Sequence, residues 1–389
     1  MTQRGTRRSA QNPPERQTAT LSAGSTGPAL TVVIPGDLET RTGGYEYDRR
    51  IIAGLRARGW TVDVSPLDAT FPQPTRAARE GAVRVFAAIP DGATVLVDGL
   101  ALGALPDEIA REAARLTFVA LVHHPLAAET GLDPDVAGAL EGSERRALAS
   151  ARVVVVTSRR TAASMTRYGV SEDRIAIVEP GTDRAPLARG SQSAIRNSSA
   201  MRNSQSAMSL LCVATLTPRK GHELLCRALA AVSNKQWRLR CAGSLDRDPA
   251  TTARVRAQLR ADGLEDRVSL VGELDAAALA LEYDRADVFV LATLYEGYGM
   301  AVAEALARGL PVVSTATGAI EEIVCGAGRI VPPGNLDALT VALSSVLDDA
   351  GARDALAARA RQVRDRLPTW DDATTGLARA LERAARPAA

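Results

Sequence analysis

The chain has 389 residues, 46% of them apolar, and sets 47 basic against 45 acidic side chains for a formal charge of +2. That length is long for one domain and predicts two. The near-neutral balance argues against nucleic acid or a strongly anionic surface as partner, and no apolar run reaches the roughly 20 residues of a membrane span.

Residues 1–28 are rich in Gln, Ser, Thr, Pro and Arg, without periodicity or the apolar core of a signal peptide. A disordered tail is expected there. Thr31 to Pro35 (TVVIP) reads as the first strand and Tyr45 to Arg58 as a helix ended by Gly59, with Gly43 and Gly44 in the loop between. Backbone amides at a glycine pair can approach an anion closely, although an ordinary loop before a helix reads the same way. Trp60 to Ser65, Thr94 to Val97 and Thr117 to Val122 are further strands alternating with helices. This rhythm predicts a parallel, doubly wound sheet.

The last of these strands runs into His123-His124-Pro125, and the chain holds only one other histidine. Ligands bind at the carboxyl edge of open α/β sheets, but a histidine there is more often structural. Strand alternation points His123 and His124 to opposite faces. Glu129 reads as a surface carboxylate, with a pocket wall as the alternative. Ala151 to Ser158 (ARVVVVTS) reads as a central strand and Ile175 to Val178 as an edge or late one, before a turn at Glu179-Pro-Gly-Thr-Asp183. Residues 183–208 are polar and serine-rich, with the imperfect repeats SAIRNS and SAMRNS, and are expected to be a flexible interdomain linker.

Leu210 to Thr215 opens the second domain, and Arg219-Lys220 follow it. Only Lys220 and Lys235 among the basic residues are lysine, a hint that a compact ammonium is wanted. A helix start disfavours cations, so the pair is either solvated or faces a bound anion that reverses the sign. Trp237 to Gly243 and Val268 to Gly272 continue the second sheet, Cys325 to Pro333 is its last strand, and Leu336 to Leu347 a helix. Leu367-Pro-Thr-Trp370 starts a final amphipathic helix, with Trp370 expected as its apolar anchor. Cys212, Cys226, Cys241 and Cys325 fall outside any metal-ligand spacing and read as reduced, mostly buried residues.

The most informative stretch is Ala286 to Val324, ADVFVLATLYEGYGMAVAEALARGLPVVSTATGAIEEIV. Asp287 to Thr293 is a nearly all-apolar strand of the kind buried on both faces of a parallel sheet. Leu294 to Gly299 interrupts it with Gly297 and Gly299, and Met300 to Arg308 is a helix that is apolar almost all round. Glu304 sits inside that helix, and a buried carboxylate needs donors or a counter-ion. Arg308 at i+4 could serve, and so could the paired hydroxyls of a sugar. Glu296 stands eight residues earlier, at the carboxyl end of the strand. The amides of Gly299, Met300 and Ala301 open the helix as an anion site.

Glu296 and Glu304, set in EGYGMAVAEALARGLPVV, resemble the paired-glutamate E-x7-E motif of retaining glycosyltransferases of family 4. The resemblance covers roughly residues 31–385 and is densest from 209 to 334. It implies the α/β GT-B fold, with two Rossmann-like domains facing each other across a cleft. The first domain would span residues 29–182 and the second 209–366, with 367–389 crossing back to the first. It further implies that Glu304 holds the ribose hydroxyls of a nucleotide sugar, Glu296 faces the donor sugar, and Gly43 and Gly44 face the diphosphate. Either His123 or His124 would lie against the donor sugar, His124 being closer to the family pattern. VATLTPRKGHELLCRAL resembles the family's phosphate loop, in which Lys220 fits the phosphate-binding lysine. The arginine five residues before it is Thr215 here, a departure that Arg219 could make good. The loop at Gly272-Glu273 would meet the base through backbone atoms.

The activity implied is metal-independent transfer of a hexosyl-type group, with retention, from a nucleotide-diphospho-sugar to a small-molecule, glycan or lipid-linked acceptor. No cofactor and no protein nucleophile would be needed, because a phosphate oxygen takes the acceptor proton. The expected location is the cytoplasm, with at most peripheral contact with the inner membrane face. The only candidate basic surface helix, Arg76 to Arg84, is short. An epimerase or nucleotide-sugar hydrolase of the same fold, or a non-catalytic sugar-nucleotide-binding subunit, would share the donor site. A phosphorylase would need a longer chain and a cofactor lysine.

Overall fold

The computed structural model of the protein describes residues 27–189 and 207–386. The tail expected over 1–28 lies almost wholly outside the described residues, as does most of the linker expected over 183–208. Two parallel sheets of six strands organise the rest. The first comprises β1 (Ala29–Pro35), β2 (Thr61–Leu67), β3 (Thr94–Asp98), β4 (Thr117–Val122), β5 (Val153–Val156) and β6 (Ile175–Ile177), in the order β2-β1-β3-β4-β5-β6. The second comprises β7 (Met208–Val213), β8 (Trp237–Ala242), β9 (Val268–Gly272), β10 (Val288–Leu291), β11 (Val312–Thr315) and β12 (Gly328–Val331), in the order β12-β11-β10-β7-β8-β9. Every strand pair is parallel.

This is the doubly wound pattern that the alternating apolar runs predict. Val153 to Val156 and Val288 to Leu291 are buried throughout, because helices cover both faces of each sheet. Strand order reverses between β1 and β3 in the first sheet, and between β7 and β10 in the second. At such a reversal the connections diverge to opposite faces and leave a crevice at the strands' carboxyl ends. The loops leaving β1, β3, β7 and β10 therefore define where a ligand can sit.

The structure departs from the sequence reading in four places. Ala151 to Ser158 is not central, since β5 lies next to the edge strand β6. Gly43 and Gly44 are not loop residues but the first turn of the Gly43–Ala57 helix, capped by the Thr42 side chain. Only Gly328 to Val331 pairs as the last strand. Cys325, at φ +45°, instead ends the short Ile320–Val324 helix and is exposed.

The fourth departure concerns the final helix, Trp370–Ala385, which packs against the first sheet and the Gly43–Ala57 helix. Its deepest contacts are Leu377 and Leu381, fully buried in the core with Ile51 and Leu55. Trp370 is only partly buried, edge-on to Tyr47 and beneath the Arg50 guanidinium, so it is not the main apolar anchor. Thr369 and Asp372 close a capping box at the helix start, and Thr182 in the turn after β6 donates its amide to the Pro368 carbonyl at 2.8 Å. That turn is architectural.

Candidate active site

Each candidate residue stands where a strand's carboxyl end hands the chain to a helix. After β7, Pro218–Lys220 form a single 3-10 turn ahead of the His222–Ala231 helix. The Arg219 carbonyl accepts from the Leu294 amide at 2.7 Å and from the Thr293 hydroxyl at 3.0 Å, which ties this turn to the loop leaving β10. In that second loop Gly299, at φ +107°, caps the Met300–Ala307 helix. A Cβ there would both strain the backbone and lie 2.9 Å from Ile320. The helix amides consequently open toward the crevice.

Three charges meet between these loops. Lys220 Nζ lies 2.5 Å from Glu296 Oε1, and Arg219 Nη1 lies 3.8 Å from Glu296 Oε2 while donating to the Tyr295 carbonyl. Glu296 is buried, and Lys220 and Arg219 retain 18% and 17% of their side-chain exposure, so the pair is not a solvated one. Burial opposes the charge on Glu296, but Lys220 and Arg219 outweigh it and hold its pKa below the usual carboxylate value. Burial also lowers Lys220, against the pull of Glu296. The arrangement is a desolvated ion cluster, in which an incoming anion would find cations already oriented. Thr215 makes no contact with this cluster in the hydrogen bonds described; Arg219 brings the second cation.

Glu304 lies on the Met300–Ala307 helix with its carboxylate partly accessible. Its partner is not Arg308. The Tyr283 hydroxyl donates to Glu304 Oε2 at 2.9 Å, while Arg308 lies over the Tyr283 ring, 4.3 Å from its centroid, and donates to the Glu304 backbone carbonyl. Burial pushes the Glu304 pKa up against these partners. One carboxylate oxygen, Oε1, thus has no protein donor among the described contacts and is free for a ligand.

The two histidines diverge as strand alternation requires. His123 turns toward the first sheet's reversal point: its Nε2 lies 3.5 Å from Asp48 Oδ1 and 3.8 Å from Asp98 Oδ2, and its ring meets Tyr47 edge-on. His124 Nε2 lies 3.7 Å from Glu129 Oε2, and its ring is 5.9 Å from that of Tyr295. Glu129 is no isolated surface carboxylate, because Arg219 of the second domain reaches it at 3.3 Å. Desolvation is overcome by His124 and Arg219, which bring the Glu129 pKa down to about 2.

Further contacts bring the two domains together. Gly297 abuts the His123 carbonyl, with room for no side chain, and Gly43 faces the Met300 sulfur. Gly44 packs against the His123 ring. Glu296, Arg219, Lys220, His123, His124, Gly43, Gly44, Gly297 and the Gly299–Ala301 amides therefore line one region. Gly272 stands apart, at the end of β9, beside an open cavity of about 530 Å³ that Ser244, Asp246, Thr252, Arg256 and Glu273 also line. Sequence reasoning missed Asp48, Asp98 and Tyr283. Asp98 ends a strand at the carboxyl edge and could have been flagged; the other two sit in ordinary helices.

Among the described residues, two groups each hold potential metal-ligand atoms within 4.8 Å of one another: Asp48, Asp98 and His123 in one, and Cys212, His222 and Cys241 in the other. All four cysteines are free and three are buried, as the sequence suggests; the second group is a spatial one that sequence spacing does not reveal. Cys212 and Cys241 face each other across the β7–β8 register, and the His222 Nε2 approaches Cys212 Sγ at 3.8 Å.

Comparison with known proteins agrees with this geometry. Residues 207–349 match the family model Glyco_trans_1_4, described as glycosyl transferases group 1. The chain is 28% identical over 235 residues to the D-inositol 3-phosphate glycosyltransferase of Kribbella flavida, covering 57% of this chain and 54% of that one. It is 27% identical over 297 residues to the MMP alpha-(1->4)-mannosyltransferase of Mycolicibacterium hassiacum, covering 72% and 68%. The chain spans about half the length of several of the curated relatives it matches. Among solved structures, the sucrose-phosphate synthase of Thermosynechococcus elongatus superposes with a TM-score of 0.74 at 21% identity, over 90% of this chain and 98% of that one. Anabaena HepE in complex with UDP superposes with a TM-score of 0.68 at 18% identity, over 91% and 99%. The fold is GT-B.

Proposed function

We propose that the chain is a retaining glycosyltransferase of the family 4 type, moving a hexosyl-type group from a nucleotide-diphospho-sugar to an acceptor hydroxyl without a metal. The observation that carries this reading is the convergence of Lys220 and Arg219 on Glu296 at the β7/β10 reversal. There, two oriented cations and the opening amides of the Met300–Ala307 helix supply positive charge where a diphosphate leaving group would develop its negative charge. Such preorganised stabilisation needs no reorganisation at the moment of bond cleavage and is the largest rate contribution these residues can make.

In this reading Glu304 grips the ribose hydroxyls through its free carboxylate oxygen, with Tyr283 fixing the other. Glu296 faces the donor sugar, and the backbone at Gly272 meets the base. The first domain presents Gly43, Gly44 and the two histidines from across the cleft. No residue is placed as a nucleophile; the acceptor attacks from the leaving-group side and a phosphate oxygen takes its proton. The name of the Kribbella flavida relative suggests a phosphorylated polyol as an acceptor class to try first. No helix among the described residues is long and apolar enough to cross a membrane, and the proposed location is the cytoplasm with at most peripheral membrane contact.

A thermal-shift panel of UDP-, GDP- and ADP-sugars tests the reading, since a ligand that binds only the native state raises its melting temperature. One nucleotide family should shift it, and the same donor should then be consumed only when an acceptor is added. No shift with any donor would sink the proposal. Release of nucleotide without an acceptor would favour a hydrolase or epimerase, and binding without turnover a non-catalytic subunit.

A further inference from the structure

His123 is gripped from one side only. Asp48, on the Gly43–Ala57 helix, and Asp98, at the end of β3, both face its Nε2, at 3.5 and 3.8 Å. The two carboxylates are 4% and 5% exposed. Both Asp48 oxygens and His123 Nε2 are sealed from solvent and lack any hydrogen-bond partner of strict geometry, so the charge contact among them is what offsets their burial. The His123 side chain nevertheless keeps 21% exposure, which must come from the rest of the ring. Its backbone is fixed too: the Thr157 hydroxyl donates to its carbonyl, and Gly297 of the second domain abuts that same oxygen.

On the transferase reading above, we propose that Asp48 and Asp98 are positioning residues that hold the Nε2 edge of His123 and thereby aim the remainder of its ring into the cleft. The fold supplies both at the first sheet's reversal point, where the connections of β1 and β3 diverge. Asp98 does so while accepting the Leu100 amide at 2.8 Å through Oδ1, which leaves Oδ2 for His123. The groups facing His123 are Asp48, Asp98, the Tyr47 ring and its neighbour His124. Burial alone would keep the imidazole neutral, but the contact with Asp48 and the charge of Asp98 overcome it and raise the His123 pKa. Asp98 absorbs part of the conflict: burial and the neighbouring Asp48 push its own pKa up to about 7. Asp48 is the nearer of the two carboxylates, at 3.5 Å against 3.8 Å for Asp98.

The test compares Asp48→Asn and Asp98→Asn with the wild type in two independent readouts. Imidazole NMR of the donor-free protein, assigned with His123→Gln among three histidines, should show His123 titrating above the ordinary value of about 6.5 and falling in both variants. Turnover should fall at least tenfold, and on the order of 100-fold if the ring moves by about 1 Å, with donor KM within about twofold. The limb of the turnover–pH profile that reports His123 should move to lower pH. Asp98→Asn keeps an oxygen for the Leu100 amide, so it carries the test even if Asp48→Asn does not fold. A His123 titration unchanged in both variants would overturn the proposal, as would a raised donor KM at full turnover. So would one divalent ion per chain whose removal by chelator abolishes the raised His123 value. If the wild type transfers no sugar, the transferase reading fails, while the NMR arm still decides this one.

Discussion

Lys220 Nζ lies 2.5 Å from Glu296 Oε1, joining the loops that leave the two strands flanking the second sheet's reversal. On the proposed reading, Glu296 and the donor diphosphate compete for this one ammonium. Lys220→Ala is expected to lower turnover by at least 100-fold and, by leaving buried Glu296 with Arg219 at 3.8 Å as its remaining cation, to destabilise the protein by about 2 kcal/mol. Adding Glu296→Gln should restore much of the stability and none of the activity. Denaturant melts and steady-state rates on the three variants check both halves; a Lys220→Ala enzyme with wild-type turnover would remove the lysine from the site.

Glu304 presents a different expectation, because it is only partly accessible and already anchored by the Tyr283 hydroxyl. Glu304→Ala should raise the donor KM by roughly 10- to 100-fold, the loss of one or two hydrogen bonds to a charged group, with a smaller effect on turnover. Tyr283→Phe keeps the carboxylate but frees it to rotate, and should raise the donor KM only a few-fold. Equal effects of the two substitutions would mean that Glu304 acts through packing rather than through the ligand.

A third expectation concerns pH. Glu144 is 1% exposed, and burial pushes its pKa up to about 7 against the Leu126 amide and the Tyr168 hydroxyl, which favour the charged form. The folded state therefore binds a proton that the unfolded chain has released between its ordinary value and about 7. Stability must fall as pH rises through that window, by a total on the order of 3 kcal/mol. Glu144→Gln keeps an acceptor for the Leu126 amide and should flatten the slope of melting temperature between about pH 5 and 7. Glu129, held at about 2, acts in the opposite sense: its contribution is present above the ordinary carboxylate value and lost in acid. A wild-type slope unchanged in Glu144→Gln would show that Glu144 ionises normally.

Much of this architecture is legible in the sequence because it rests on short-range pattern. Apolar runs such as VVVV at 153–156 mark strands covered on both faces, and the alanine-rich helix after Glu296 places Glu304 relative to it by helical geometry. What is not legible depends on residues that only the topology gathers. Asp48 and Asp98 lie 50 residues apart, and each reads locally as an ordinary polar residue. Their meeting at His123 follows from the β1–β3 adjacency. Local spacing offers Glu304 only Arg308 at i+4, which bonds the Glu304 backbone carbonyl instead; the side-chain donor, Tyr283, comes from the preceding helix. Glu129 reads as solvated until the second domain brings Arg219 beside it.

The last expectation follows from a close approach between the domains, at Gly297 and His123. An ideal Cβ on Gly297 would stand 2.1 Å from the His123 carbonyl oxygen and 3.4 Å from the Thr157 hydroxyl. The first obstacle is backbone at the end of a central strand, which cannot yield as a side-chain tip could. Gly297→Ala must therefore push the loop carrying Glu296 away from the strand end carrying His123. Lys220, Glu304 and the Met300–Ala307 helix all belong to the second sheet and move together, so donor binding should survive within a few-fold. Turnover needs both domains and should fall by about 100-fold, the cost of a misplacement of about 1 Å. Gly43→Ala is the comparison: its Cβ would meet only the Met300 sulfur, at 3.6 Å, an ordinary contact with a pliable side chain. In thermal shift the two variants should bind donor alike, and in transfer assays the Gly297 variant should be the slower by at least tenfold. If it turns over like the wild type, the contact between Gly297 and His123 has no part in assembling the site.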